Sequence, residues 1–173
     1  MNSGRPNDEQ RFLDLVDENR GKLLKICRVY GWNREDQDDL YQEIVFQIWR
    51  GLPNLKEESF ANTWLYRVAL NASMSFVRKK TSRGAIKTTN YDHEQIEQLL
   101  ETQPPTNPQN EQLAHLYEAI AQLNDLEKAL ITLFLEDLSY EQIAAVMGVT
   151  ESNVGVMLHR AKKKLSTLMK EAP

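Results

Sequence analysis

The sequence contains little of what a disulfide scaffold, a membrane protein or a zinc centre requires. There is one cysteine, Cys27, and there are three scattered histidines, so the chain offers neither an internal disulfide nor a Cys/His metal cluster. No apolar run approaches the roughly 20 residues that a membrane span needs, and residues 1–10 are polar. These absences predict a cytoplasmic protein that is neither exported nor inserted into a membrane.

Glycine and aromatic residues are also scarce. The chain has seven glycines and 8% aromatic residues, with no glycine-rich phosphate loop and no nucleophile motif. We therefore expect no catalysis, no cofactor and no bound metal. The 41% of apolar residues suffice for packed cores, and no segment has the alternating pattern of a strand. The predicted fold class is all-α.

Charge is unevenly distributed along the chain. The formal net charge of −4 argues by itself against nucleic acid as a partner, but the distribution of charge matters more than its sum. Acidic residues concentrate in 8–39 and 92–151, whereas residues 67–90 and the stretch from 154 onward are basic. Each half of the chain thus begins acidic and ends basic, which indicates two functional units.

A segment of linker composition separates these two units. Residues 85–110 lose helical periodicity and gather threonine, asparagine, glutamine and three prolines, as flexible connections do. The sequence therefore predicts two small helical domains, residues 7–84 and 111–171, joined by a flexible linker over residues 85–110.

Three helices are predicted in the first domain. Apolar residues recur at helical spacing over 12–27, which predicts one long helix. A second apolar stripe covers 40–49, and carboxylates precede it where the helix dipole favours them. A third helix over 60–80 can be capped by Ser59 and ends in a basic run.

The second domain carries local signals for four helices. In chain order they are Asn110 before the first apolar stripe, the capping pairs Asn124 with Glu127 and Ser139 with Gln142, the turn residue Gly148 and the cap Thr150. Residues 138–165 accordingly predict a helix-turn-helix, in which a short helix, a glycine turn and a longer helix present side chains to base edges. The residues expected to set its packing are Ala144, Gly148, Val154 and Leu158.

The exposed start of the last helix is the candidate base-reading surface. Short polar side chains there can reach base donors and acceptors in the major groove, and Asn153 is the first choice. The other candidates at this end are Glu151, Ser152 and Gly155. Arg160 and Lys163 follow on the same helix and suit phosphate contacts. The alternative to a DNA-binding helix-turn-helix is a plain helical hairpin. Its basic residues would then only reflect the preference of cations for the C-terminal end of any helix.

The third helix of the first domain combines aromatic and basic residues. Trp64 and Tyr66 precede the polar and basic residues Asn71, Arg78 and Lys79 on this helix, an arrangement that single-strand binders use for stacking and charge. From spacing alone, however, Trp64 and Phe76 are better explained as residues of the core.

A cluster of carboxylates precedes and enters the second helix. Its members are Glu35, Asp36, Asp38, Asp39 and Glu43. Asp39 and Glu43 share a helix face, so a metal site and even a metal-dependent hydrolase built with Asp36 can be imagined. A solvated or partner-binding acidic face is the favoured interpretation.

Four stretches of sequence resemble one known family. Residues 38–49, DDLYQEIVFQIW, look like the polymerase-binding helix of extracytoplasmic-function (ECF) sigma factors, whose usual form is DLVQEVFLxLW. Residues 60–71, FANTWLYRVALN, are similar to the segment that follows it in the family. Residues 138–144, LSYEQIA, and 158–161, LHRA, match the C-terminal helix-turn-helix. The resemblance therefore extends to both predicted domains, in the same order.

The resemblance implies a bacterial RNA polymerase sigma factor that directs promoter-specific initiation. Its partners would be core polymerase, at the clamp helices of the largest subunit and the flap region, promoter DNA, and an anti-sigma factor. The implied polymerase-binding residues are Asp39, Leu40, Gln42, Glu43, Phe46 and Trp49. Those implied for the −10 element are Trp64, Arg67, Asn71, Arg78, Lys79 and Lys80. Those assigned to the −35 element are Ser139, Glu151, Ser152, Asn153, His159, Arg160, Lys162 and Lys163.

The sequence departs from the family at two places. Ser75 stands where the family usually has aspartate, and Gly155, Val156 and Met157 stand where it often has Lys-Ser-Arg. The second departure removes expected phosphate contacts, so binding to the −35 element should depend more on the lysines at 162–164.

One rival function stays open at the level of sequence. A dimeric helix-turn-helix regulator could use the first domain for dimerisation or sensing instead of polymerase binding. Symmetric operator binding without polymerase would identify such a regulator.

Overall fold

The structure is built from α-helices. A computed structural model describes residues 6–82 and 108–171, and every regular element in these two ranges is helical. The N-terminal half contains α1 (Pro6–Glu18), α2 (Arg20–Tyr30), α3 (Arg34–Gly51) and α4 (Ala61–Ser82). The C-terminal half contains α5 (Pro108–Ala121), α6 (Asp125–Leu135), α7 (Tyr140–Met147) and α8 (Glu151–Glu171). The all-α prediction is confirmed.

The predicted linker, residues 85–110, lies outside the described residues except at its end. Helix α5 begins at Pro108, inside the segment that the sequence assigned to the linker. Proline suits the first turn of a helix, because the N–H that it lacks has no partner within the helix there. The last of the three prolines therefore lies in a helix.

The first predicted helix is in fact two helices. They meet at Asn19, a residue that is 5% exposed and whose Nδ2 donates a hydrogen bond to the Leu15 carbonyl at 2.8 Å. An asparagine that bonds to the preceding turn competes with the helical backbone pattern. The prediction of one long helix is wrong at this residue, and a second helix, α2, begins at Arg20.

Helix α3 supplies the centre of the N-terminal core. Leu40, Ile44 and Ile48 have no exposed surface and pack between α2 and α4. Gly51 ends the helix beneath the indole of Trp64, and a Cβ at this glycine would lie 2.8 Å from the ring. The glycine thus permits the close approach of α4 to the end of α3.

The start of α4 differs from the prediction. Ser59, the predicted cap, lies inside a short 3-10 turn, Glu58–Phe60, and α4 begins at Ala61. The end of the helix agrees with its predicted basic run, because Lys79 and Lys80 occupy the last turn, where cations complement the helix dipole.

The local signals of the C-terminal half are confirmed. Both predicted capping boxes form, and the Asn124 side chain accepts from the Glu127 N–H at 2.9 Å. Gly148 adopts the left-handed conformation, with φ 70°, between α7 and α8. Glycine takes this conformation without the steric cost that a Cβ brings. The three other packing residues predicted for the helix-turn-helix, Ala144, Val154 and Leu158, are all buried.

The two halves contact each other directly. The hydroxyl of Tyr30, at the end of α2, donates to the Asp125 carbonyl at 3.0 Å. The guanidinium of Arg28 lies 4.0 Å from the ring centroid of Tyr117. The sequence offered no signal for these contacts, because each joins residues that are about 90 positions apart.

Lys128 lies in this contact and is only 8% exposed. Its Nζ lies 5.8 Å from the ring centroid of Tyr30, and burial lowers the pKa of its ammonium group below the usual 10.5. A buried ammonium costs free energy that an apolar side chain of similar length does not.

We expect Lys128→Met to raise the free energy of unfolding by about 1 kcal/mol. Because the unfolded chain binds this proton more tightly, wild-type stability should rise as the pH rises from the lowered pKa toward 10.5. The variant should lack that rise. Urea denaturation at several pH values measures both effects. Lys170→Met, at an exposed position of α8, is the control, and an equal gain in both variants would contradict the explanation.

Candidate nucleic-acid and protein interfaces

The outer face of α3 carries most of the predicted polymerase-binding residues. Asp39 and Gln42 are exposed, and Phe46 is 51% exposed although it is a large apolar residue. Glu43 is half-buried and accepts a hydrogen bond from Gln47 Nε2 at 2.8 Å. The helical repeat brings these side chains to one face, where an apolar ring stands among carboxyl and amide groups.

Two predicted contact residues of α3 have structural roles. Leu40 has no exposed surface, so its assignment as a direct contact is wrong, and it serves the core instead. Trp49 is half-buried, and its ring meets that of Phe12 edge-on at a centroid distance of 5.1 Å. Helical spacing places both residues in the correct helix, but it does not tell which side of the helix faces α2 and α4.

Four predicted promoter residues form a stripe along α4. Trp64, Arg67, Asn71 and Arg78 are spaced by three, four and seven residues, which keeps them on one side of a helix. Arg67, Asn71 and Arg78 are exposed, whereas Trp64 is half-buried against the core. The stripe therefore offers an amide and two guanidinium groups to solvent, with the indole only partly accessible.

Two of the basic residues on α4 are engaged within the protein. Lys80 forms a salt bridge with the buried carboxylate of Asp36, across from α4 to α3. Arg67 donates hydrogen bonds to the carbonyls of Ala145 and Val146, near the C-terminal end of α7. A cation is favoured at that end of a helix. Arg67 thus links the N-terminal half to the helix-turn-helix.

The outward face of α8 presents the predicted base-reading residues. Glu151, Ser152 and Asn153 are exposed at its start, and the Thr150 hydroxyl accepts from the Asn153 N–H at 3.2 Å. Farther along, His159, Arg160 and Lys163 are exposed as well. Ser139 lies elsewhere, at the cap of α7, where its hydroxyl accepts from the Gln142 N–H at 3.1 Å.

Two lysines on α8 are held by neighbouring side chains. Lys162 is half-buried, with its Nζ 3.6 Å from the ring centroid of Phe134. Lys164 pairs with Glu127 at 2.9 Å. Partial burial acts to raise the pKa of Glu127, but hydrogen bonds from Lys164 and the Asn124 backbone outweigh it and lower that pKa. Of the lysines at 162–164, Lys163 is the one exposed without such a contact in the described residues.

One residue of this face was not among the predicted contacts. Val156 is 53% exposed and stands one turn from both Ser152 and Arg160. Helical periodicity applied to the buried residues Val154 and Leu158 would have identified it, because residue 156 points away from both.

Neither a metal centre nor a membrane span emerges from the described parts of the chain. In residues 6–82 and 108–171, no group of three or more His, Cys, Asp or Glu side chains is placed to hold a metal ion. Asp36, one of the imagined ligands, is paired with Lys80. None of the described helices combines the length and apolar character that crossing a membrane requires.

Family models match both halves of the chain. The model described as Sigma-70 region 2 matches residues 15–83, and the one described as Sigma-70, region 4 matches residues 113–165. The first match covers the end of α1 and all of α2, α3 and α4, and the second covers the helix-turn-helix with α6 and most of α5.

Curated relatives align with nearly the whole chain. The RNA polymerase sigma-H factor of Pseudomonas aeruginosa is 30% identical, with 95% of this chain and 91% of the relative aligned. The ECF RNA polymerase sigma-E factor of Haemophilus influenzae is 28% identical, with 91% of this chain and 87% of the relative aligned. The ECF RNA polymerase sigma factor SigE of Mycolicibacterium smegmatis is 27% identical over 88% of this chain, which spans 59% of that longer relative.

Two solved structures share the fold. CnrH, in complex with the cytosolic domain of CnrY, superposes with a TM-score of 0.66 at 20% identity and covers 95% of this chain and 91% of its own. The sigma factor RpoE of Bartonella quintana, in complex with the anti-sigma factor NepR, superposes with a TM-score of 0.67 at 18% identity. The match covers 95% of this chain and 98% of that one. The helical fold, the two region models and the relatives aligned over most of the chain agree, and the chain therefore belongs to the extracytoplasmic-function group of sigma-70 RNA polymerase sigma factors.

Proposed function

We propose that the outer face of α3 docks on core RNA polymerase, the stripe on α4 captures the −10 element, and α8 reads the −35 element. Each of the three exposed surfaces thus has one binding partner. The protein acts as a regulatory subunit without catalysis of its own, in the cytoplasm, where RNA polymerase and the chromosome are found.

The observation that carries this proposal is the exposed Phe46 among polar residues of α3. Exposed aromatic rings surrounded by polar groups are typical of protein interfaces, in which a few such anchors contribute most of the binding free energy. The ring lies within the stretch, residues 38–49, that resembles the polymerase-binding helix of the family. The flanking residues Asp39 and Gln42 are exposed and supply the polar rim.

The arrangement of charge supports two weak DNA sites used together. A net charge of −4 keeps the isolated chain from binding DNA strongly through counterion release. Polymerase, docked on the acidic α3, would bring the basic surfaces of α4 and α8 to one promoter, where the joined sites gain avidity. Duplex binding by the isolated chain should therefore be weak.

Run-off transcription with core polymerase on fragmented genomic DNA tests the function. We expect defined start sites with the intact protein and a loss of about tenfold or more with the triple variant Gln42→Ala, Glu43→Ala, Phe46→Ala. Trp49 is left unchanged, because its contact with Phe12 would confound binding with stability.

A triple variant on α1 supplies the matched control. Gln10, Leu13 and Asp14 are exposed and comprise an amide, an apolar and an acidic residue, as on α3, and Gln10 donates to Asp14 much as Gln47 does to Glu43. Alanine at all three should leave transcription close to wild type. Equal losses in both triple variants, or no added initiation with intact protein, would refute the proposed role of α3.

An anti-sigma factor is a further partner that we propose. The two similar solved structures are complexes, one with the cytosolic domain of CnrY and one with the anti-sigma factor NepR. Large apolar residues of this chain are exposed on several helices, Phe46 among them. An anti-sigma factor that covers α3 should compete with core polymerase, and a competition binding assay would detect this.

A further inference from the structure

The outward face of α8 carries an exposed apolar residue in the first third of the helix. Val156 has 53% of its surface exposed, while Val154, Leu158 and Ala161 are fully buried on the opposite side of the same helix. Ser152 precedes Val156 by four residues and Lys163 follows it by seven, so all three lie along one line of the helix surface. An isopropyl group thus stands in the middle of a polar and basic surface.

Neither packing nor helix propensity explains this valine. More than half of the side chain is in solvent, so it adds little to the core, and valine is a poorer helix former than the residues common on helix surfaces. Beside it, Gly155 faces the ring of Tyr140, which is 43% exposed and lies 3.7 Å from where a glycine Cβ would stand. The apolar character of the surface therefore continues toward α7.

The charge around Val156 indicates the kind of partner. Arg160 and Lys163 are exposed on the same side of the helix, and no acidic residue occurs between residues 152 and 170. An apolar side chain flanked by cations is complementary to a polyanion that exposes an apolar group between its phosphates. In the major groove of duplex DNA, that group is the 5-methyl group of thymine, which no other standard base carries.

We propose that Val156 contacts the 5-methyl group of a thymine in the −35 element and thereby contributes to promoter specificity. The inference rests on the proposed reading of the −35 element by α8. Val156 lies about 6 Å along the helix from Ser152, so it reaches a base pair beside the one that Ser152 and Asn153 face. Arg160 and Lys163 hold the helix in the groove through phosphates.

Deoxyuridine substitution tests this contact, because it removes the methyl group and leaves the pairing edge of the base unchanged. A duplex is synthesised with the sequence that is common to the regions upstream of the start sites found by run-off transcription. In each version of it, one thymidine is replaced by deoxyuridine. Its affinity is measured for holoenzyme assembled from core polymerase and the full chain. We expect a loss of about fourfold at one position, and no loss there with Val156→Ala.

Three further variants sharpen the test. Met169→Ala changes another exposed apolar residue of α8, 41% exposed, and should keep the wild-type sensitivity to the methyl group. Lys163→Ala should reduce the dependence of binding on salt, whereas Val156→Ala should leave that dependence unchanged. Val156→Ser should behave as Val156→Ala does.

Failure of this inference is distinct from failure of the proposed function. If run-off transcription yields no defined start sites, the proposed function fails, and the duplex is then selected from a random pool by the isolated chain. The inference is overturned if the selected duplex has no thymine, if no single substitution weakens binding, or if Val156→Ala retains the wild-type loss at the sensitive position.

Discussion

Replacing Lys80 with methionine should lower the free energy of unfolding by about 2 to 3 kcal/mol, because it leaves the buried carboxylate of Asp36 without its cation. The Asp36 side chain is 3% exposed and that of Lys80 is 34% exposed. Water reaches the ammonium group, so the expected loss is smaller than the 3 to 5 kcal/mol typical of fully buried pairs. The midpoint of urea denaturation at unchanged slope measures the effect.

Two control variants separate this effect from a general loss of positive charge. Lys79→Met changes the exposed neighbour of Lys80 and should alter stability by less than about 0.5 kcal/mol. The double variant Asp36→Asn with Lys80→Met removes both charges and should regain part of the lost stability. If Lys79→Met costs as much as Lys80→Met, the salt bridge does not stabilise the α3–α4 contact.

The same salt bridge changes what Lys80 variants can reveal about promoters. A transcription defect in Lys80→Met would reflect the disturbed packing of α4 as well as any lost contact with the −10 element. Arg78 and Lys79 are exposed and are the better positions for testing DNA contact. Their substitution should weaken promoter binding without a change in the unfolding midpoint.

Two substitutions together, Tyr117→Ala and Glu136→Lys, should shift the two halves toward separation. The first removes the ring beneath Arg28, and the second replaces the 2.9 Å ion pair with Lys25 by a repulsion. Together they should cost about 2 kcal/mol, a shift of roughly 30-fold from contacting to separated halves. Small-angle scattering should then give a radius of gyration well above the roughly 16 Å of a compact chain of this length.

A control for this separation lies on α5. Leu113→Ala with Glu111→Lys makes a similar change of size and the same change of charge at exposed positions of the C-terminal half. It should leave the radius of gyration unchanged. Separation should also free Arg67 from the carbonyls of Ala145 and Val146. An unchanged radius in Tyr117→Ala, Glu136→Lys would mean that other contacts hold the halves together.

The residues of the helix-turn-helix illustrate what local sequence determines. Each capping box joins residues three positions apart, as in Asn124 with Glu127, and Gly148 meets a conformational demand of its own backbone. Such interactions need no partner from elsewhere in the chain, so they could be predicted in detail. The acidic start of α3 and the basic end of α4 are local in the same sense.

Sequence patterns identified the helices more reliably than their boundaries and faces. The break at Asn19 depends on a hydrogen bond to Leu15, which the apolar pattern around it conceals. Leu40 belongs to the stretch that resembles the polymerase-binding helix, yet its side chain faces the core. A motif lists the residues of a helix in order, whereas burial depends on which neighbouring helices pack against it.

The helical character of the chain, the position of its helix-turn-helix and the family that it resembles follow from periodicity, caps and motifs within short stretches of sequence. The salt bridge between Lys80 and Asp36, the contact of Arg67 with the other half and the exposure of Val156 on α8 depend instead on how the helices pack. Each of these features depends on helices that are brought together by burial of apolar surface. The hydrophobic effect is not directional, so it does not allow a particular partner residue to be predicted from the sequence.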